Sequence, residues 1–280
     1  MINFKTSKPL SQYLSRQRAA GKRIGFVPTM GALHPGHLSL IDLAKAENRV
    51  CVCSIFINPT QFNNENDFLH YPVTVEKDIQ ELLKRGCHAL FLPNHSEIYP
   101  EGFQARYYEL GALENILEGH FRPGHFQGVC QVVDRLLEII EPDDIFLGQK
   151  DFQQCLVIDH LLTITGRRIQ THIAIAPTVR EPGGLAMSSR NTRLNENEFQ
   201  TAKAISEALY YIKDHALLQP VAELELQAMK YLSGKGLSVD YVTIADAGTL
   251  AKTTTLNKPA IALIAVTVGK VRLIDNMLLN

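Results

Sequence analysis

In FVPTMGALHPGHLSLID, residues 26–42, an apolar run empties into a loop bearing Gly31, Pro35 and Gly36, and a helix begins beside His34 and His37. At i and i+3 on a first helical turn, the two imidazoles face the same side. Free backbone N–H groups and the helix dipole at that point favour an anion, so the chemistry suggested is phosphate binding. Two surface histidines would give the same pattern, as would two legs of a zinc site. Zinc has the least support, because no Cys or Glu stands nearby at ligand spacing.

Three further segments carry similar potential. In LGQKDFQQ (147–154) a strand again ends in glycine and polar residues, and Lys150 can reach a polyphosphate as a mobile point charge. Asp151 and Gln154 also have the spacing of an ordinary helix cap, so a solvated lysine is the plain alternative. In AMSSRN (186–191), Ser188 and Ser189 offer hydroxyls and Arg190 a planar fork, a set suited to phosphate oxygens. A serine- and glycine-bearing interdomain linker would look the same. In SIFINPTQFNNENDF (54–68), Asn58, Gln61 and Asn63 place amides at a strand end, where they can orient a small hydroxylated or carboxylated molecule. An Asn-Pro turn is the structural alternative. No GxxxxGK[ST] loop, GxGxxG fingerprint or GxSxG elbow occurs, so P-loop, dehydrogenase and serine-hydrolase readings lack their usual anchor.

These segments need elements to hold them, and the pattern supplies two kinds. Strand-like and helix-like stretches alternate: IGFVPT, a helix over 37–47, VCVCSIFIN, a helix in VTVEKDIQELLKRG, HALFLP, a helix in HFQGVCQVVDRLLEIIEPDD, IFLGQK, a helix in DFQQCLVIDHLLTI, and RIQTHIAIAPTV. Continuous apolar strands between helices imply a parallel sheet covered on both faces, a doubly wound α/β domain over 1–178 with its ligand beyond the carboxyl ends of the strands. Helices over about 196–215 and 220–233 precede VDYVTIADA, AIALIAVTV and VRLID, which reads as a smaller α+β domain over 179–280 with an antiparallel sheet.

The chain has 280 residues and a formal net charge of −1, with no basic surplus to suggest nucleic acid. No apolar run has the length of a membrane span, and the N-terminal stretch lacks the apolar core of a signal peptide. Cys51, Cys53, Cys87, Cys130 and Cys155 show no CxxC spacing and read as reduced packing residues of a cytoplasmic protein.

VPTMGALHPGHLSLI, FINPTQF, GHFRPGHFQGVCQVV, FLGQKDFQQ and PTVREPGGLAMSSRN, in that order and spacing, closely resemble the pantothenate synthetase family, the ATP-dependent pantoate–β-alanine ligases. The likeness is strongest over about 20–200. It implies a nucleotidyltransferase-type Rossmann domain, a C-terminal lid and a homodimer. It also implies a two-step reaction through a pantoyl adenylate, giving pantothenate, AMP and pyrophosphate. Carried over by motif, Met30, His34, Gly36, His37, Gly148, Gln149, Lys150, Asp151, Val179, Met187, Ser188, Ser189 and Arg190 form the ATP site. His37, His34, Lys150 and Arg190 are the catalytic groups, Gln61 and Gln154 hold pantoate, and Gln61 also borders β-alanine. Magnesium is expected to accompany ATP, with Asp78 a candidate contact to the ion or its waters. The chain departs from the family pattern at Gln149 and Asn66, where acids are usual, at Val73 in place of Arg, and at Gln131 in place of Thr. The rival readings are a nucleotidyltransferase of the same fold and a non-catalytic nucleotide-binding module.

Overall fold

The computed structural model of the protein describes residues 1–46 and 49–279. Among them, six strands form one sheet: β1 (Ile2–Phe4), β2 (Ile24–Thr29), β3 (Val50–Ile55), β4 (Ala89–Phe91), β5 (Asp144–Gly148) and β6 (His172–Ala176). Their spatial order is β1-β4-β3-β2-β5-β6 and every pairing is parallel, as the continuous apolar strands require. The intervening helices are α1 (Ser7–Ala19), α2 (Pro35–Lys45), α3 (Glu65–Leu69), α4 (Val75–Lys84), α5 (His95–Ile98), α6 (Glu118–Phe121), α7 (His125–Ile140) and α8 (Phe152–Ile164). From β2 the chain builds outward through β3 to β4, then returns to lay β5 on the other side of β2. The carboxyl ends of β2 and β5 therefore flank the point where the order reverses, the crevice in which such sheets bind ligands.

The expected helix over 37–47 begins two residues earlier, at Pro35, and its last expected residue, Glu47, lies outside the described residues. β1 and α1 escaped the sequence reading for a physical reason: β1 has three residues, and α1 buries only Leu10 and Leu14. The stretch read as a strand from Arg168 onward pairs only over β6, with a 3-10 turn at Arg167–Ile169 before it.

The chain divides into two compact units. The first comprises Met1–Gly148 and Val157–Ala176, and the second Gln149–Leu156 with the chain from Pro177 onward. A single cut near 178 does not describe this, because the eight residues after β5 group with the C-terminal unit. That unit contains α9 (Glu196–Ala202), α10 (Ala204–His215), α11 (Val221–Gly234) and the sheet β7 (Ser238–Asp246), β8 (Ala260–Val268) and β9 (Val271–Leu278). The sheet is antiparallel throughout, in the order β7-β8-β9. Its core joins Leu209, Ile212, Leu224 and Leu232 of the helices to Ile244, Ile264 and Leu273 of the strands. In place of the single helix expected over 196–215, α9 and α10 meet at Lys203, whose φ of −60° and ψ of −26° stay close to helical values. β9 runs on past Asp275 to Leu278 and so brings Asn276 into the sheet.

Candidate active site

The loop after β2 is built around one buried carboxylate. Asp78 of α4 is 1 % exposed and accepts the backbone N–H groups of Ala32 at 2.9 Å and Leu33 at 2.8 Å. The Thr74 hydroxyl donates to it as well, at 3.1 Å. Gly31 has φ +82°, and a Cβ there would stand 3.0 Å from the Asp78 carboxylate, so the turn needs glycine on both counts. Ala32 follows at φ +50°, a left-handed conformation that the two Asp78 bonds help to hold. These three bonds give Asp78 a structural task in the loop it shapes, and its expected contact with an ion or its waters remains a proposal beside that task.

The loop delivers His34 to the N-cap of α2. Its Nδ1 accepts the N–H of Gly36 at 3.2 Å, and His37 Nδ1 accepts the N–H of His34 at 3.4 Å. The two rings lie with centroids 4.0 Å apart. Because a backbone N–H only donates, each Nδ1 must be unprotonated, and the ring proton of each neutral imidazole sits on Nε2. Cap formation thus gives both histidines the tautomer that donates from the outer nitrogen. The i, i+3 spacing signalled the helix start; that the imidazoles themselves make the cap was not legible from it.

Gln61 belongs to a 3-10 turn after β3 and is 9 % exposed. Its Nε2 donates to Met30 Sδ at 3.0 Å, and its Oε1 accepts Asn58 Nδ2 at 3.3 Å. Asn58 is fully buried and also bonds the Gly128 carbonyl and the Tyr99 hydroxyl, so this amide orients Gln61 where the sequence reading had it facing a ligand. His125 bonds the Gln61 carbonyl through Nδ1 at 2.7 Å, while its Nε2 stands 3.0 Å from an Arg122 nitrogen. Guanidinium only donates, which makes Nε2 the acceptor and Nδ1–H the donor to Gln61. A Cβ on Gly128 would lie 2.3 Å from the Thr60 carbonyl oxygen, so only glycine lets α7 come this close to the turn. Tyr99, His125 and Gly128 are support that residue-type reasoning does not find, and Asn58, read there as a ligand-facing amide, joins them.

In the first unit the structure thus brings together Met30, His34, Gly36, His37 and Gln61, and Gly148 ends β5 there. The second unit holds Gln149, Lys150, Asp151, Gln154, Val179, Met187, Ser188, Ser189 and Arg190. Gln149–Asp151 form a 3-10 turn in which Lys150 Nζ donates to Asp151 Oδ1 at 3.1 Å, and Gln154 lies half-buried in the first turn of α8. The chain from Val179 to Met187 doubles back on itself, with Met187 N–H bonded to the Val179 carbonyl at 2.9 Å and Glu181 N–H to that of Leu185 at 2.8 Å. Ser188 then caps a 3-10 turn by accepting Arg190 N–H at 3.3 Å, and Ser189 is buried. The first unit thus offers neutral imidazole donors and an Asn-anchored amide, and the second, taken by itself, a lysine-bearing turn and a hydroxyl–guanidinium turn, residue types suited to phosphate oxygens and to an organic acid.

Among the described residues, no cluster of three or more His, Cys, Asp or Glu is placed to hold a metal. That donor set fits a magnesium ion carried by nucleotide phosphates better than one caged by the protein. Nor is any described helix long and apolar enough to cross a membrane.

Residues 3–278 match the family model described as pantoate-beta-alanine ligase. The chain is 42 % identical over 283 residues to a pantothenate synthetase of Porphyromonas gingivalis, covering 98 % of each chain. It is 44 % identical over 275 residues to one of Phocaeicola vulgatus, covering 97 % of each. Its structure is similar to that of pantothenate synthetase from Thermus thermophilus, with a TM-score of 0.93, 37 % identity and 99 % of each chain covered. It is also similar to pantoate-beta-alanine ligase from Francisella tularensis complexed with beta-gamma ATP and beta-alanine, with a TM-score of 0.81, 39 % identity and 99 % and 97 % covered.

Proposed function

The chain belongs to the pantoate–β-alanine ligase family, and from that premise we propose that it condenses (R)-pantoate with β-alanine through a pantoyl adenylate, releasing AMP and pyrophosphate. A pantoate carboxylate oxygen attacks the α-phosphorus of ATP, and the bond to pyrophosphate breaks. The β-alanine amine then attacks the acyl carbon, AMP leaves, and the amide of pantothenate remains. Such a reaction needs positioning and charge neutralisation and no enzyme nucleophile.

The observation that carries this reading is the paired cap at the β2 end. His34 and His37 each commit Nδ1 to a backbone N–H, which puts each ring proton on Nε2, and to those donors we assign the phosphates. His37 serves as hydrogen-bond acid to the phosphate oxygens, with His34 beside it and the α2 N-terminus behind both. Lys150 and Arg190 neutralise the departing pyrophosphate, while Ser188, Ser189, Met187, Val179, Gln149, Asp151, Gly36, Gly148 and Met30 line the nucleotide. Gln61 and Gln154 hold pantoate by uncharged amides, and Gln61 borders β-alanine. A magnesium ion carried by the ATP phosphates would supply charge neutralisation there. The five buried cysteines suit a reducing cytoplasm, and the homodimer implied by the family belongs to the same proposal.

Pyrophosphate release from ATP tests the order of events. It should require pantoate and proceed in a single turnover without β-alanine. Release that waits for β-alanine would contradict the adenylate.

A further inference from the structure

β9 carries two adjacent buried polar residues, Asp275 and Asn276, the first of them where its pattern calls for packing. Val271, Leu273 and Met277 belong to the core of the C-terminal unit, and strand alternation puts Asp275 in the same series. Asp275 is 2 % exposed, and its carboxylate takes a two-pronged contact from Arg180, at 2.6 and 3.2 Å. Burial pushes the Asp275 carboxyl up from its ordinary range, with the Arg180 guanidinium pulling the other way. Arg180 also donates to the Gly184 carbonyl at 2.9 Å, within the 179–187 turn, and to the Asn276 carbonyl at 3.4 Å, which with the Asp275 contact ties that turn to the strand.

The neighbouring Asn276, also 2 % exposed, reaches the turn that bears Lys150. Its Nδ2 donates to the carbonyl oxygens of Gln149 at 2.9 Å and Lys150 at 2.8 Å, and its Oδ1 accepts Gln149 Nε2 at 3.3 Å. Those two carbonyls belong to the peptide planes on either side of the Lys150 Cα. Peptide units are planar, so fixing both fixes φ and ψ of Lys150 and hence the direction in which its side chain leaves the backbone. Asparagine suits the task because one short side chain offers two N–H donors and an acceptor.

Resting on the role given to Lys150 above, we propose that Asn276 is a positioning residue of the reaction: it aims the Lys150 ammonium at the ATP phosphates, with Asp275–Arg180 bracing the strand beneath it. Asn276 touches no substrate and acts through the turn.

The test is a double-mutant cycle on the full-length enzyme, with Lys150→Ala, Asn276→Asp and the double variant compared in ATP-dependent pantothenate formation. Asn276→Asp keeps the shape and replaces the donating NH2 by an oxygen facing two carbonyls; Asn276→Ala is run beside it, and melting confirms that each variant is folded. Either Asn276 variant should lower turnover at least tenfold, move the KM for pantoate less than twofold, and add almost nothing in the Lys150→Ala background. A loss that multiplies fully onto that of Lys150→Ala, or normal turnover in a folded Asn276→Asp enzyme, overturns the proposal while the function stands. Near-normal turnover by Lys150→Ala overturns instead the role of the lysine on which the proposal rests.

Discussion

Replacing Asp78 by asparagine separates a loop anchor from a metal contact. Oδ2 accepts Ala32 N–H, and Oδ1 accepts Leu33 N–H and the Thr74 hydroxyl. The hydroxyl can rotate to accept instead of donate, whereas the two N–H groups cannot. Whichever way the new amide is turned, its NH2 faces one backbone N–H and leaves that donor without a partner at a site 1 % exposed. A hydrogen bond to a charged acceptor contributes roughly 1.5–3 kcal/mol, and a buried unsatisfied donor costs about 1–3 kcal/mol, so the overlapping effects come to about 2–4 kcal/mol. At roughly 2–4 °C per kcal/mol for a domain of this size, melting should fall by about 4–16 °C. Turnover should fall too, because Ala32 and Leu33 lead directly into the His34 cap. Calorimetry and steady-state kinetics over a magnesium series check both. Unchanged melting, with activity restored by excess magnesium, would refute the anchor and return Asp78 to the ion.

Gly128→Ala puts a methyl 2.3 Å from a backbone oxygen beside Gln61 and should cost about 1–3 kcal/mol of stability while raising the KM for pantoate more than that for ATP; equal changes in both would break the link between α7 and the pantoate amide. Gln61→Ala should weaken pantoate binding by roughly 1.5–3 kcal/mol, read by titration calorimetry, and an equal loss for ATP would assign the residue to the wrong ligand. Burial pushes the Cys130 thiol up to about 12 and raises that of Cys155 as well. With so little thiolate at neutral pH, both should resist alkylation until the protein unfolds, and rapid labelling of the native enzyme, read by mass spectrometry, would contradict that burial.

The sequence reveals the sheet because a strand buried on both faces must be apolar throughout, as IGFVPT and VCVCSI are. It marks the loops we assign to phosphate as well, since such a site needs glycines, hydroxyls and cations at strand ends, and those residue types are conspicuous. The supporting groups leave no such mark. Asp78 lies 46 residues from Ala32, and Asn276 lies 126 from Lys150, so their partners exist only once the chain is folded. Asp78 illustrates the point: its residue type suggests an ion, while the two backbone donors that give it a structural task are invisible in the sequence. The grouping of Gln149–Leu156 with the C-terminal unit was equally hidden, because a short link between β5 and α8 looks like any other strand–helix turn.

Oxygen transfer tests the central claim most directly. When pantoate carries heavy oxygen in its carboxylate, attack at the α-phosphorus must leave one labelled oxygen in each AMP formed. Mass spectrometry of the products should therefore find the label in AMP and pantothenate, and none in pyrophosphate. Label in inorganic phosphate, with ADP as the co-product, would show that pantoate is activated as an acyl phosphate and would contradict the adenylate.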